Sequence, residues 1–300
     1  MASDEISYHP LDQSCFYKLR NKRKLADLLF ISLRTLESFA NAKNAYRCWD
    51  EPKKSGGVRR IEAPHENLKA AQRRIALLLQ RIKPPKYLMA PVKKRSYVHN
   101  AAAHRGSKAF RLLDIEDYFP SCSDKKVYWF FHKKMQCAPD VSAILTKLTT
   151  FNGHLPQGSP CSPILAYLAY IEMWEQIDAI VSSSGCRLSI YADDITISGA
   201  TVYERSVWMI KQALRRHGHH FSQHKERSIL SKPVCITGVI VSGDELLLPN
   251  RQHKKMKEVR RQRSATQPGK ARESLDRKNR GQIAQAKQIL HHKECPELLR

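Results

Sequence analysis

Two apolar, strand-like segments of the sequence each end in acidic residues. The segment FRLLD (110–114) ends in Asp114, and the segment SIYADD (189–194) ends in Asp193 and Asp194. The alternating residues on both sides of Ala192 predict two short strands joined by a tight turn, which would point the paired carboxylates away from the core. An Asp-Asp pair alone is typical of an ordinary turn. If the two segments are neighbouring strands of one sheet, however, all three carboxylates meet and need cations to stay ionised.

Mg²⁺ suits such a site, because it is a hard ion that binds carboxylates and substrate phosphates. Two ions ~3.5–4 Å apart would hold the attacking and leaving oxygens of an in-line phosphoryl transfer. The segment LPQGSPCSP (155–163) lies between the two acidic segments. Its Gly158 would let the backbone approach a ligand closely, and Gln157 offers both a donor and an acceptor. An ordinary proline-rich loop is the alternative interpretation of this segment.

The composition favours a polyanionic partner. Lys and Arg number 52 against 28 Asp and Glu, a formal net charge of +24, which favours nucleic acid as the partner. No apolar run approaches the ~20 residues of a membrane span. The eight cysteines show no paired spacing, which is typical of free thiols in the reducing cytoplasm. His217, His219, His220 and His224 lack partners at ligand spacing, so we expect an exposed or phosphate-facing basic loop there rather than a metal site.

The elements that must position these residues can be predicted from periodicity and from Pro and Gly. We predict a hairpin in EPKKSGGVRRIEAP (51–64), and basic helices after Pro249. The predicted helices cover residues 22–44, 66–82, 124–135, 140–150, 163–182 and 203–217. The predicted strands cover residues 108–115, two short segments around Asp193–Asp194, and residues 234–241. This order predicts an α+β fold with a central sheet and helices mostly on one face.

The motifs FRLLDIEDYF, LPQGSPCSP and YADD follow one another in the order and spacing found in reverse transcriptases, which the sequence strongly resembles. The resemblance implies an RNA-directed DNA polymerase of right-hand architecture. It implies a palm with an antiparallel sheet and helices on one face, and a small helical thumb. The implied boundaries are an N-terminal helical extension at 1–45, fingers at 46–105 with part of 124–160, the palm at 106–242 and a basic thumb at 243–300.

The resemblance also implies roles for individual residues. Asp114, Ile115, Asp193 and Asp194 would form the site of the two Mg²⁺ ions, while Gln157 and Gly158 would contact the incoming nucleotide. Arg59, in the predicted hairpin, would grip the triphosphate, a task suited to a guanidinium. Lys53 or Lys54 would assist it, and the sequence does not choose between them.

Two further residues bear on the chemistry. Lys225 stands where the family has a lysine that protonates the leaving pyrophosphate, although a surface lysine is an equally good interpretation. Phe119 stands five residues after Asp114, at the position of an aromatic ring that clashes with a ribose 2′-OH and selects deoxynucleotides. A core phenylalanine is the alternative.

Two segments resemble bacterial retron reverse transcriptases in particular. Asn100-Ala-Ala-Ala-His104 is similar to their Asn-Ala-x-x-His segment, and Ile236-Thr237-Gly238 to their Val-Thr-Gly segment. Such enzymes copy part of their own structured noncoding RNA, starting from the 2′-OH of a guanosine, into branched multicopy single-stranded DNA. The implied partners are this RNA and its DNA copy, deoxynucleoside triphosphates, a host RNase H, and an effector protein in antiphage defence. The predicted RNA contacts are Asn100, His104, Arg251, Lys254, Lys255, Arg260 and Arg261.

Two other hypotheses remain open. The chain could be an RNA-binding scaffold or antitoxin that restrains a neighbouring effector, using a polymerase fold without depending on synthesis. It could also be a reverse transcriptase of the intron, CRISPR or diversity-generating kind, against which the Asn-Ala-x-x-His segment argues.

Overall fold

The computed structural model describes residues 7–42, 44–53 and 56–292. The helices in this part of the chain are α1 (Lys22–Leu29), α2 (Leu33–Asn41), α3 (Glu66–Leu79), α4 (Tyr97–Ala102), α5 (Tyr118–Ser121), α6 (Asp124–Trp129), α7 (Pro139–Thr149), α8 (Ser162–Leu168), α9 (Ile171–Ser183), α10 (Glu204–Arg216), α11 (Asn250–Ala265) and α12 (Lys270–Leu290). The strands are β1 (Tyr46–Pro52), β2 (Val58–Pro64), β3 (Leu88–Ala90), β4 (Ala109–Glu116), β5 (Arg187–Tyr191), β6 (Asp194–Gly199), β7 (His220–Phe221), β8 (Arg227–Leu230), β9 (Val234–Ile236), β10 (Val239–Ser242) and β11 (Glu245–Leu247). The predicted α+β class is confirmed.

The chain divides into two compact units, each built from three separate segments. The first unit contains the chain up to Pro85, then Ile115–Ile177 and Ile210–Phe221, and the second contains Lys86–Asp114, Asp178–Met209 and the chain from Ser222 onward. The predicted boundaries of fingers, palm and thumb remain a prediction.

The second unit contains a sheet in which β3, β5, β6 and β4 follow one another, with β8 also paired to β4. The β5–β6, β6–β4 and β4–β8 pairs are antiparallel, whereas β3 runs parallel to β5. The strands within the predicted palm range of 106–242 are thus antiparallel, as expected, and β3, which precedes that range, adds one parallel strand at the edge. The buried positions of the sheet are occupied by apolar side chains such as Leu113 and Ile195, as the period of a half-buried strand requires.

A smaller antiparallel sheet of β9, β10 and β11 also lies in the second unit. A single strand was expected over 234–241. The chain instead reverses at Thr237 and Gly238, which both have positive φ (44° and 88°), and forms two strands. Apolar residues of this sheet pack with Val98 of α4, Phe110 of β4 and Ile289 of α12 in one buried cluster. The last helix thereby becomes part of a core, which anchors the otherwise highly charged C-terminal region.

The first unit contains the β1–β2 hairpin, paired from Tyr46↔Pro64 to Pro52↔Val58, which confirms the predicted hairpin. Three helix predictions need correction. The helix expected over 124–135 is α-helical only to Trp129 and continues as a π-helix over Phe130–Lys134. The helix expected over 22–44 ends at Phe30, whose left-handed conformation (φ 59°) closes α1, and restarts after Ser32, whose side chain accepts from the Thr35 N–H. The helix expected over 163–182 is divided into α8 and α9, with a break at Ala169–Tyr170.

No helix in residues 7–42, 44–53 or 56–292 is both long and apolar enough to cross a membrane. The cysteines in the same part of the chain, at positions 15, 48, 122, 137, 161, 186 and 235, are all free thiols.

Candidate active site

The acidic residues of the two motifs meet at one end of the sheet in the second unit. Strands β4 and β6 are neighbours, and Asp114 stands directly opposite Asp194 in their register. Ala192, in the left-handed conformation (φ 57°), and Asp193 form the turn from β5 into β6, and Tyr191 pairs with Asp194 across it. The expected convergence of the two strands is thus observed, with Asp194 as the first residue of β6 rather than the last of the turn.

The electrostatics of this group follow from burial and from repulsion. Burial, together with the negative charges of Asp193 and Asp114, raises the pKa of Asp194 to about 6, although Lys225 and Arg227 act in the opposite direction. The Nζ atom of Lys225 donates a hydrogen bond to Oδ1 of Asp114 at 2.7 Å. That bond raises the pKa of Lys225, which stays an ammonium ion. Lys225 is therefore an internal counter-cation of the acidic group, hydrogen-bonded to Asp114.

An ion-pair network centred on the buried Arg111 supports the segment that carries Lys225. Ser222 donates its N–H to the Asp114 carbonyl at 2.8 Å, which fixes the start of the short 3₁₀ turn Gln223–Lys225. The guanidinium of Arg111, in β4, contacts Glu226 at 3.1 Å and also pairs with Glu204 at the start of α10. The sequence analysis did not identify this network. A charged residue inside the apolar run FRLLD was the signal that could have revealed it.

The donor atoms suit a hard divalent cation, since they are carboxylate oxygens with an excess of negative charge. Among the residues that the structure describes, however, no group of three or more His, Cys, Asp or Glu side chains is arranged to hold an ion. Lys225 instead neutralises Asp114. The residues therefore fit a divalent cation chemically once Lys225 releases that carboxylate. Ile115 could contribute only its main-chain carbonyl, because its side chain is apolar and buried.

The glycine loop of the first unit packs against the hairpin. Glu62 of β2 donates its N–H to the Gln157 carbonyl at 2.8 Å. Gly158 has φ 139°, and a Cβ atom there would lie 3.0 Å from the Glu62 carbonyl oxygen, so only glycine allows this close approach. The loop is thus held at a fixed place on the hairpin.

The predicted basic residues of the hairpin are placed as follows. Arg59 is exposed on β2, opposite Glu51. The Lys53 ammonium lies 3.3 Å from Asp117, in the turn that leads to Phe119, and Lys54 lies outside the described residues. Phe119 is half-buried in α5, within the same unit.

Two of the predicted RNA contacts are wrong. The Asn100 side chain is buried and donates to Thr237 Oγ1 at 3.3 Å, and His104 is fully buried between Ser198 and Ser189. Neither can reach an RNA, because both are used inside the second unit. The motif that contains them is therefore a packing motif.

The basic residues predicted for α11 are exposed along that helix: Arg251, Lys254, Lys255, Arg260 and Arg261. Arg261 also pairs with Glu258 at 3.1 Å, one turn away. In the histidine-rich loop, the expectation of exposure is wrong for His219, which is fully buried.

Comparison with known proteins agrees with this geometry. A profile of the family described as "Reverse transcriptase (RNA-dependent DNA polymerase)" matches residues 51–241. This span is more than half of the chain and contains both acidic motifs and the glycine loop. The chain belongs to the reverse transcriptase family.

Several curated proteins similar to this chain are retron enzymes. The chain is 36% identical to the Retron Se72 reverse transcriptase of Salmonella heidelberg over 149 residues, 49% of this chain and 39% of that one. It is 27% identical to the Retron Ec86 reverse transcriptase of Escherichia coli (80% and 77%), and 30% identical to the Retron Mx65 reverse transcriptase of Myxococcus xanthus (59% and 46%). The match thus spans less than half the length of two of these relatives. They confirm the resemblance to bacterial retron reverse transcriptases.

Proposed function

We propose that the protein is a retron reverse transcriptase that copies part of its own structured noncoding RNA into DNA. Synthesis starts from the 2′-OH of a guanosine in that RNA and gives branched multicopy single-stranded DNA. The observation that carries this proposal is the direct opposition of Asp114 and Asp194, with Asp193 in the adjoining turn. Membership of the family and the names of the relatives support it.

The reaction is a nucleotidyl transfer. The hydroxyl oxygen of the primer forms a bond to the α-phosphorus of a deoxynucleoside triphosphate while the bond to the pyrophosphate oxygen breaks. Asp114, Asp193 and Asp194, with the main-chain carbonyl of Ile115, would hold two Mg²⁺ ions, which would neutralise the charge of the phosphates and orient the reacting oxygens. The hydroxyl loses its proton to solvent, and the leaving pyrophosphate gains one from a general acid.

Lys225 is the proposed donor of the proton that the leaving pyrophosphate gains. The hydrogen bond from its ammonium to Asp114 shows that this cation can reach the carboxylate group. When the Asp114 carboxylate binds a metal ion instead, the Lys225 ammonium can turn to the leaving group and act as a general acid. Arg111 and Glu226 would keep the segment in place during that change.

The first unit carries the proposed nucleotide contacts. Arg59 would hold the triphosphate through its forked guanidinium, with Lys53 or Lys54 as the assisting cation. Gln157 and Gly158 form the loop that approaches the nucleotide, and Phe119 excludes the 2′-OH. The fixed position of the glycine loop on the hairpin supports these roles.

The exposed face of α11 is the proposed surface for the noncoding RNA. Its Arg251, Lys254, Lys255, Arg260 and Arg261 would bind phosphates and recognise shape, so binding should weaken steeply with salt, at a slope of ~−0.7 to −0.9 per phosphate neutralised. The free thiols support a cytoplasmic location. A host RNase H would remove the copied template, and an effector encoded beside the gene would act in antiphage defence.

The test compares the nucleic acids that copurify with the wild-type protein and with Asp193→Asn plus Asp194→Asn. Asp12→Asn is the matched control, since Asp12 is exposed and remote in sequence from the motifs. We expect a branched RNA–DNA hybrid from the wild type and the control, and the same RNA without DNA from the double variant. DNA on the double variant would overturn the site. Cellular RNA without attached DNA on the wild type would overturn the retron assignment and favour an RNA-binding scaffold.

A further inference from the structure

In the first unit, two successive hydrogen bonds connect His219 to the residues on either side of Phe119. The Oγ atom of Ser121 donates to the Tyr118 carbonyl at 2.8 Å and lies 2.8 Å from Nδ1 of His219. The hydroxyl has a single proton, and the carbonyl can only accept. Nδ1 of His219 must therefore carry the imidazole proton and donate it to Ser121.

The side chain of His219 is fully buried between two tyrosine rings. Its ring lies 4.3 Å from the Tyr170 ring, measured between centroids, and 5.7 Å from the Tyr118 ring. Burial, followed by the charges of His217, His220 and Lys126, lowers the pKa of His219 to about 4, so the ring is neutral at physiological pH. Its Nε2 atom is buried and has no hydrogen-bond partner among the described residues. Among the described residues, the side chain of His219 thus forms its hydrogen bond through Nδ1, to Ser121.

The helix α5, which carries Phe119, is held at several further points. Tyr118 donates its hydroxyl to the Ala166 carbonyl at 3.0 Å, and Tyr170 donates to the Ser121 carbonyl at 3.2 Å. Asp117, just before the helix, has a left-handed backbone (φ 43°), which aspartate tolerates better than most residues other than glycine. The hydrogen bond between His219 and Ser121 adds a further constraint on the helix that follows this turn.

We propose that His219 is a positioning residue for Phe119, and that discrimination against ribonucleotides depends on the hydrogen bond from His219 to Ser121. The inference rests on the proposed function, in which Phe119 excludes the 2′-OH. The Phe119 ring would exclude a ribose because of a single additional oxygen atom, the 2′-OH. A displacement of the ring by ~1 Å can therefore matter, since a misplacement of that size can change the rate of a reaction by ~10²-fold. A loosened turn would therefore admit a ribose before it abolished synthesis.

The test measures single-nucleotide incorporation with a deoxynucleoside and a ribonucleoside triphosphate, and compares the ratio of the two kcat/KM values. In His219→Ala we expect the ratio to fall ~10-fold, the factor that corresponds to one hydrogen bond. His219→Asn keeps an N–H donor at the Nδ1 position and should restore most of the ratio. The exposed neighbour His220→Ala is the matched control and should leave it unchanged.

Two more variants separate the possible failures. Ser121→Ala removes the acceptor with little change of volume and should lower the ratio as His219→Ala does, even if the latter folds poorly. Phe119→Ala tests the steric role itself. An unchanged ratio in Phe119→Ala would overturn that role, and with it the basis of the inference. A reduced ratio in Phe119→Ala, with equal losses for both nucleotides in His219→Ala and Ser121→Ala, would overturn the positioning role alone.

Discussion

Asp114 and Asp194 face each other across strands β4 and β6, with one carboxylate on each strand. Like charges in this arrangement destabilise a sheet by roughly 0.2–1 kcal/mol. In the presence of a chelator, Asp194→Asn should therefore raise Tm by about 2 °C while abolishing DNA synthesis. Thermal unfolding and primer extension on the same preparations measure both effects. The control Asp12→Asn should change neither, and a variant that still extended a primer would contradict the assignment.

Lys225 balances the same carboxylates, so its removal should have two effects. Lys225→Met leaves Asp114 without its 2.7 Å partner and should lower Tm in a chelator. It should also slow single-turnover incorporation ~10²-fold, within the range of general acid catalysis. Lys225→Arg keeps the positive charge and should preserve Tm. Nucleotide incorporation should remain slow in this variant, because a guanidinium does not release its proton. If Lys225→Met incorporated nucleotides at the wild-type rate, Lys225 would be only a counter-cation.

The Arg111–Glu226 pair is shielded from solvent, whereas the Arg111–Glu204 pair is not. The side chains of Arg111, Glu226 and Glu204 are 9%, 17% and 77% exposed, respectively. Breaking a buried pair typically costs ~3–5 kcal/mol, and an exposed one under ~1 kcal/mol. Glu226→Gln should thus lower the free energy of unfolding much more than Glu204→Gln, as measured by denaturant titration. Equal effects of the two substitutions would mean that the network is not anchored at Glu226.

His104 should make the stability depend on pH. Burial, followed by the charge of Arg187, lowers its pKa to about 3, against about 6.5 in an unfolded chain. Between these values the unfolded chain binds a proton that the folded chain does not, so the stability falls as the pH falls from 6.5 towards 3. The slope for one proton is about 1.4 kcal/mol per pH unit.

His104→Gln can be used to isolate this contribution. The variant should be less stable at pH 7, because the bonds to Ser198 and Ser189 are weakened, but should lose stability more slowly on acidification. Denaturant titrations at several pH values measure both slopes. Parallel slopes for the two proteins would contradict the buried, neutral state of His104.

Gly158→Ala should disturb the glycine loop for two reasons. The φ of 139° strains any other residue by ~1–3 kcal/mol, and the new Cβ would lie 3.0 Å from the Glu62 carbonyl oxygen. We expect a higher KM for the deoxynucleoside triphosphate as well as a lower Tm. Gly153→Ala is the control for strain alone, because its φ is also positive (82°) but its Cβ would meet nothing within 4 Å. A KM raised equally by both changes would argue against a specific role for the close approach.

The clearest sequence patterns predicted the strands that carry the acidic residues and the hairpin of the first unit. The apolar runs ending in Asp114 and in Asp193–Asp194 predicted strands, because a buried strand has a fixed period and acidic residues are tolerated only at its end. That the strands are neighbours was a hypothesis, and the register of β4 and β6 confirms it. The Gly-Gly segment predicted the hairpin for a similarly local reason. The roles of the individual residues in catalysis and nucleotide binding stay predictions.

Other features depend on contacts that a single sequence does not reveal. The break at Phe30 requires a left-handed residue for which no glycine or proline gives a signal. Asn100 and His104 look like polar surface residues, yet their partners are 137 positions away for Asn100, and 94 and 85 positions away for His104. His219 is similar, since its partner Ser121 is 98 positions away. Burial of a polar side chain is decided by such distant partners rather than by its neighbours in sequence.

Ile289, near the end of the described chain, is fully buried in the cluster that also contains Val98 and Phe110. A polypeptide emerging from the ribosome would thus display the apolar residues beneath β4 until α12 had been translated. Burial of this cluster therefore waits for α12, and until that helix has been made the apolar side chains of the cluster form a surface that a chaperone would bind.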